Sequence, residues 1–142
     1  MPKMTSNIIF ICWGNICRSP IAEYIFKTMY NGNIISRALS NEEYGNDIYP
    51  PAKSVLNDHK IPFNKHIAKK ITKEEYDNAS YIVVMEQYQI EYLYDLYGKR
   101  NNVITLLDKD IEDPWYTGRF NKVYDEIYEG CLKLKEIIKK GG

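Results

Sequence analysis

The sequence predicts an α/β fold, a four-stranded parallel sheet with helices on both faces. Two observations carry this. Four short apolar runs alternate with segments whose apolar residues recur at helical spacing, the pattern of repeated strand–helix units. The clearest runs are apolar at every position rather than at every second one, so their strands are buried on both sides, as parallel strands are. A length of 142 residues fits one domain, spanning 1–142, large enough to cover both faces of such a sheet.

The first strand is Ile8-Ile9-Phe10-Ile11, ending at Cys12. A loop follows through Gly14-Asn15, residue types that tolerate positive φ. Ser19 is expected to cap the first helix with Pro20 as its first residue, and Ile21, Ile25, Phe26 and Met29 give that helix an apolar face. Residues 33–39 read as the second strand, and Ser40 to Pro51 as a polar loop. Ala52 to His59 forms a short helix that points Val55 and Leu56 inward. Thr72-Lys73-Glu74-Glu75 is a capping box that opens another helical turn. Tyr81-Ile82-Val83-Val84-Met85 is the third strand, followed by a helix over about 86–97 that Gly98 ends. Val103 to Leu107 is the fourth strand, and a loop through residues 113–118 leads to a last helix over about 120–139. Val123, Ile127, Cys131, Leu134 and Ile138 form the buried face of that helix.

Ligands of such sheets lie at the carboxyl ends of the strands, which is where the loop after Cys12 falls. Consecutive amides of Trp13, Gly14, Asn15, Ile16 and Cys17 can form an anion-binding nest, and the helix that follows adds its positive end. Arg18 can grip two phosphate oxygens with its planar fork. The same surroundings stabilise a thiolate at Cys12, and a thiolate facing a bound phosphoryl group is a nucleophile in place. The Ser19 hydroxyl can bond the Cys12 sulfur or serve only as a helix cap. Cys17 is either a small residue filling space under the loop or a resolving thiol that traps oxidised Cys12 as a disulfide.

Cys12-Trp13-Gly14-Asn15-Ile16-Cys17-Arg18-Ser19-Pro20-Ile21-Ala22-Glu23 resembles the signature of the low-molecular-weight protein tyrosine phosphatases, with Trp13 where an aliphatic residue is usual. The resemblance runs along nearly the whole chain. It implies hydrolysis of phosphotyrosine and small aryl phosphates through a cysteinyl phosphate, without cofactor or metal. Asp113-Pro114 alone is an ordinary turn starter. By resemblance, Asp113-Pro114-Trp115-Tyr116 matches the family's Asp-Pro-Tyr-Tyr element, which makes Asp113 the general acid and Trp115 and Tyr116 walls of the substrate pocket along with Trp13. The resemblance also has Asn15 brace the loop through Ser36, and Ile16 mark a phosphotyrosine rather than a phosphoarginine enzyme. It is weakest over residues 41–51, where Tyr44 is expected to stand in for the rim aromatic and Glu42-Glu43 to disfavour acidic flanks on a substrate. Glu86 stands where an aspartate is usual.

Composition narrows the partners. Nineteen basic and nineteen acidic residues leave no net charge and no basic block, so neither nucleic acid nor an anionic membrane is expected; phosphotyrosine proteins and oxyanions are. Three cysteines, with no secretory pattern at Met1-Pro2-Lys3-Met4, point to a reducing compartment, the cytoplasm. No ligand spacing of Cys and His suggests a metal, His59 and His66 have no visible partners and read as solvated or structural, and Cys131 reads as core. Three rival readings exist: an arsenate reductase of the same fold, a phosphotyrosine-binding module, and a thiol redox protein using Cys12 and Cys17. The first lacks further reactive cysteines, the second does not need Cys12, Arg18 and Asp113 together, and the third leaves Arg18 and Asp113 unexplained.

Overall fold

The computed structural model describes residues 6–141, so the secretory-signal reading at Met1 to Met4 lies outside the described residues. Its centre is β1 (Asn7–Cys12), flanked by β2 (Asn33–Ala38) and β3 (Tyr81–Val84), with β4 (Val103–Thr105) beyond β3. All pairings are parallel, with Ile8 opposite both Ile34 and Tyr81. Successive β1 side chains point to opposite faces. Ile8, Phe10 and Cys12 enter one core, while Ile9 and Ile11 enter the other.

The first core is covered by α1 (Arg18–Lys27), α2 (Pro50–Asp58) and α6 (Phe120–Gly141). The second packs against α3 (Lys73–Asn78) and α4 (Gln87–Tyr97) through Tyr76 and Leu93. The chain leaves β1 for β2 on one side and returns to β3 on the other. That reversal of strand order makes the crevice at the carboxyl end of β1 the natural ligand position. Among the described residues no helix is long and apolar enough to cross a membrane.

Several expectations shift locally. Ser19 does not cap α1: the helix starts at Arg18 and Ser19 lies within its first turn, its hydroxyl turned to Cys12 instead. The single apolar face expected of α1 is also too narrow, because every residue from Arg18 to Phe26 is buried between the sheet, α2 and α6. Helix α2 begins two residues early, since Pro50 and Pro51 suit the first helical turn, where no N–H is needed. Beyond Thr105 the β4 ladder stops, although Leu106 and Leu107 remain buried. The stretch read as loop at 113–118 holds a one-turn helix, α5 (Pro114–Thr117). Its Asp cap, its Pro at the first position and the left-handed Gly118 at its end are the ordinary signals of a short helix.

Candidate active site

Cys12 ends β1, and the chain then turns around its sulfur. The amides of Asn15 and Ser19 approach Sγ at 3.2 and 3.4 Å, and the Ser19 hydroxyl lies 3.0 Å away. The hydrogen of that hydroxyl can be placed by following its neighbours. Ser36 donates to Glu23 Oε1 at 2.6 Å, so Ser36 Oγ can only accept the Asn15 amide at 3.0 Å. Asn15 Oδ1 accepts the Lys69 amide at 3.3 Å, which fixes the side chain's orientation. The second Asn15 N–H donates to Ser19 Oγ at 2.8 Å, leaving the Ser19 proton to point at Cys12. Three donors thus converge on the sulfur, an arrangement that suits a thiolate acceptor rather than a thiol.

Asn15 is the keystone of this turn. It is fully buried and holds φ at 62°, the left-handed region that asparagine enters at lower cost than most residues. Its carbonyl accepts the Nε2–H of His66 at 2.8 Å. Of the two readings of His66, solvated or structural, the second holds: it supports the loop. Burial pushes its pKa down and outweighs the bond to Asn15, which keeps the ring neutral. Ile16 and Cys17 fill a small apolar cluster with Ala68. Burial, and then the neighbouring Cys12, push the Cys17 thiol up.

Arg18 is 2% exposed, which is extreme for a guanidinium and points to fixed partners. Nη1 donates to Glu86 at 2.9 Å and to the Ile111 carbonyl at 2.7 Å, while Nη2 lies 3.6 Å from Asp113 Oδ2. Burial works against the charge, but Cys12, Asp113 and Glu86 overcome it and raise the pKa. Strands β3 and β4 deliver these partners: Glu86 caps α4 just beyond β3, and Ile111 and Asp113 lie on the loop after β4. Asp113 is itself held, its Oδ1 accepting the Trp115 amide at 3.0 Å as the cap of α5.

One cleft collects Cys12, Arg18, Asp113 and the 13–17 loop. Trp13, Trp115 and Tyr116 wall it. Trp13 is fixed by its indole N–H on Glu42 and by an edge contact with Tyr92 at 5.6 Å, and Trp115 leans on Tyr49 at 4.5 Å. Tyr44 does not join them: it is 69% exposed, and Glu42 and Glu43 line the cleft from that loop. Cys131 is fully buried in the core, as expected. Among the described residues no group of three or more potential ligand side chains is placed to hold a metal.

Glu23 has no role legible in the sequence, His66 at most an unspecified structural one, and Glu86 stands out there only as a departure from the family pattern. Glu23 carried a signal, a lone acid inside the apolar run Ile21-Ala22-Glu23-Tyr24-Ile25. His66 carried none, because its partner lies 51 residues away.

A sequence model described as "Low molecular weight phosphotyrosine protein phosphatase" matches residues 7–142. The low molecular weight protein-tyrosine-phosphatase YfkJ of Bacillus subtilis is 31% identical over 94% of this chain and 96% of its own. The human low molecular weight phosphotyrosine protein phosphatase is 32% identical over 92% of each chain. The crystal structure of YfkJ superposes with a TM-score of 0.89 at 32% identity, covering 99% of this chain and 98% of the other.

Proposed function

Since the chain belongs to the low-molecular-weight phosphotyrosine protein phosphatase family, we propose that Cys12, Arg18 and Asp113 carry the reaction of a cysteine-dependent protein tyrosine phosphatase in it. The enzyme is a phosphoric monoester hydrolase acting on phosphotyrosine. The observation that carries the assignment of residues is the convergence of three donors on Cys12 Sγ beside a buried arginine.

The phosphoryl group lies in the 13–17 loop, where amides and the positive end of α1 replace its water shell. Arg18 spans two of its oxygens from a guanidinium already braced by Glu86 and Ile111. The Cys12 thiolate attacks phosphorus, and the bond to the phenolic oxygen breaks as Asp113 delivers a proton to it. The ionised Asp113 then takes a proton from water, whose oxygen attacks the cysteinyl phosphate. Inorganic phosphate leaves, and the departing sulfur is received by the Ser19 hydroxyl and the two amides. Trp13, Trp115 and Tyr116 enclose the aromatic ring.

Free phosphate and other oxyanions compete for the same loop. Cys17 acts as the resolving thiol: peroxide converts Cys12 to a sulfenic acid, and Cys17 condenses with it to a disulfide with loss of water. Its raised pKa makes that capture slow. An arsenate reductase would require a further reactive cysteine, and Cys131 is fully buried in α6. Phenyl phosphate hydrolysis measured with and without a chelator tests the reading. Turnover insensitive to chelation supports it, and no turnover overturns it.

A further inference from the structure

The catalytic cleft has a neighbour. A second cavity opens beside it, sharing Trp13, Arg18, Asp113 and Tyr116 and adding Glu86, Tyr88 and Tyr92. The chemistry described above gives Tyr88 nothing to do, and Tyr92 only the support of Trp13. We propose that this cavity is a subsite for a basic side chain, arginine above all, flanking the phosphotyrosine of the substrate. The inference rests on the phosphatase reading and names the class of phosphoprotein it acts on.

Two independent features point to a cation. The walls are aromatic, and Trp13 stands fixed between Tyr92 and Glu42, so its ring needs no ordering when a ligand arrives. Aromatic faces attract a guanidinium, which stacks on them as an ammonium cannot.

The second feature is charge. Glu42, Glu43 and Glu86 line the two cavities as carboxylates, Asp113 holding its proton for the leaving group, against Arg18 as the one basic side chain lining either among the described residues. Arg18 already faces Glu86 and Asp113, and in the complex it must also hold the dianionic phosphate. Glu42 and Glu43 form no ion pair among the described residues; Glu42 Oε2 accepts the Trp13 indole and Glu43 Oε1 the Asn46 amide. The mouth therefore stays negative once phosphate is bound. Successive residues are about 3.8 Å apart along a peptide, so a side chain next to the phosphotyrosine reaches this wall.

The test uses three phosphotyrosine peptides, alike except for arginine, alanine or glutamate on both sides of the phosphotyrosine. Phenyl phosphate, which has no flank, is the control. The expected order of kcat/KM is arginine, alanine, glutamate, with about threefold to tenfold between the first two, narrowing in high salt. Tyr88→Ala should at least halve the arginine preference while turning over phenyl phosphate at the wild-type rate. Equal rates, or glutamate first, with phenyl phosphate still hydrolysed, would overturn the subsite alone. An unchanged preference in Tyr88→Ala would overturn its placement in this cavity. Failure to hydrolyse phenyl phosphate would instead overturn the phosphatase reading.

Discussion

Asn15→Ala removes the residue on which the geometry of the active-site loop depends. The side chain makes three hydrogen bonds, to Ser19, Ser36 and the Lys69 amide, in a fully buried position. At about 1 kcal/mol each, their loss costs about 3 kcal/mol. Alanine at φ of 62° adds about 1 kcal/mol of strain, for a total near 4 kcal/mol. Asn15→Gly loses the same bonds but is spared the strain, so it should be about 1 kcal/mol more stable than the alanine variant on this account. Urea unfolding of the three proteins separates the two contributions. Catalysis should fall as well, about tenfold in kcat, because nothing then turns the Ser19 proton toward the leaving sulfur. Asn15 would not hold the loop in this way if Asn15→Ala unfolded within about 0.5 kcal/mol of wild type, or if the glycine variant were the less stable of the two.

The other variants probe single links. Asp113→Ala should slow the burst of phenol from phosphotyrosine by ~10²–10⁴-fold, and the burst from a nitrophenyl phosphate much less, since a tyrosine phenol of pKa about 10 needs the proton more; equal bursts from wild type and variant would clear Asp113 of the role. His66 has a folded-state pKa below its ordinary 6.5 because it is buried. Below about pH 6.5 the unfolded chain takes up a proton that the folded chain resists, so stability should fall with pH until folded His66 protonates too. His66→Gln should remove that part of the slope, and superimposable urea midpoints across pH in the two proteins would count against it. Mild peroxide should inactivate the enzyme reversibly with a Cys12–Cys17 disulfide in the peptide map, and irreversible loss with Cys12 overoxidised would exclude a protective Cys17.

The sheet was legible because burial on both faces leaves an unmistakable mark: Tyr81 to Val84 and Ile8 to Ile11 contain no polar interruption except the tyrosine hydroxyl. Element ends were less legible. The start of α1 is set by tertiary contacts around the Cys12 sulfur, which drew Ser19 away from the capping role that its local sequence offers. Within the site, Cys12 and Arg18 were readable because the backbone between them is local. The support for that backbone was not. Glu86 and His66 reach the loop from 68 and 51 residues away, distances at which no periodicity or spacing speaks. Tyr44 failed for a related reason: the turn that carries it is pinned by Glu42 on Trp13 and by the Gly45 amide on Ala68, and those bonds leave its ring in solvent.

On the proposed mechanism phosphate passes through the sulfur of Cys12. Quenching the enzyme in acid during turnover of an aryl phosphate, and mapping the phosphorylated residue by mass spectrometry, checks this. Phosphate is expected on the peptide containing Cys12 and absent in Cys12→Ser, a variant that should turn over no substrate yet still bind inorganic phosphate through the loop amides and Arg18. Phosphate on any other residue, or turnover by Cys12→Ser near the wild-type rate, would contradict it.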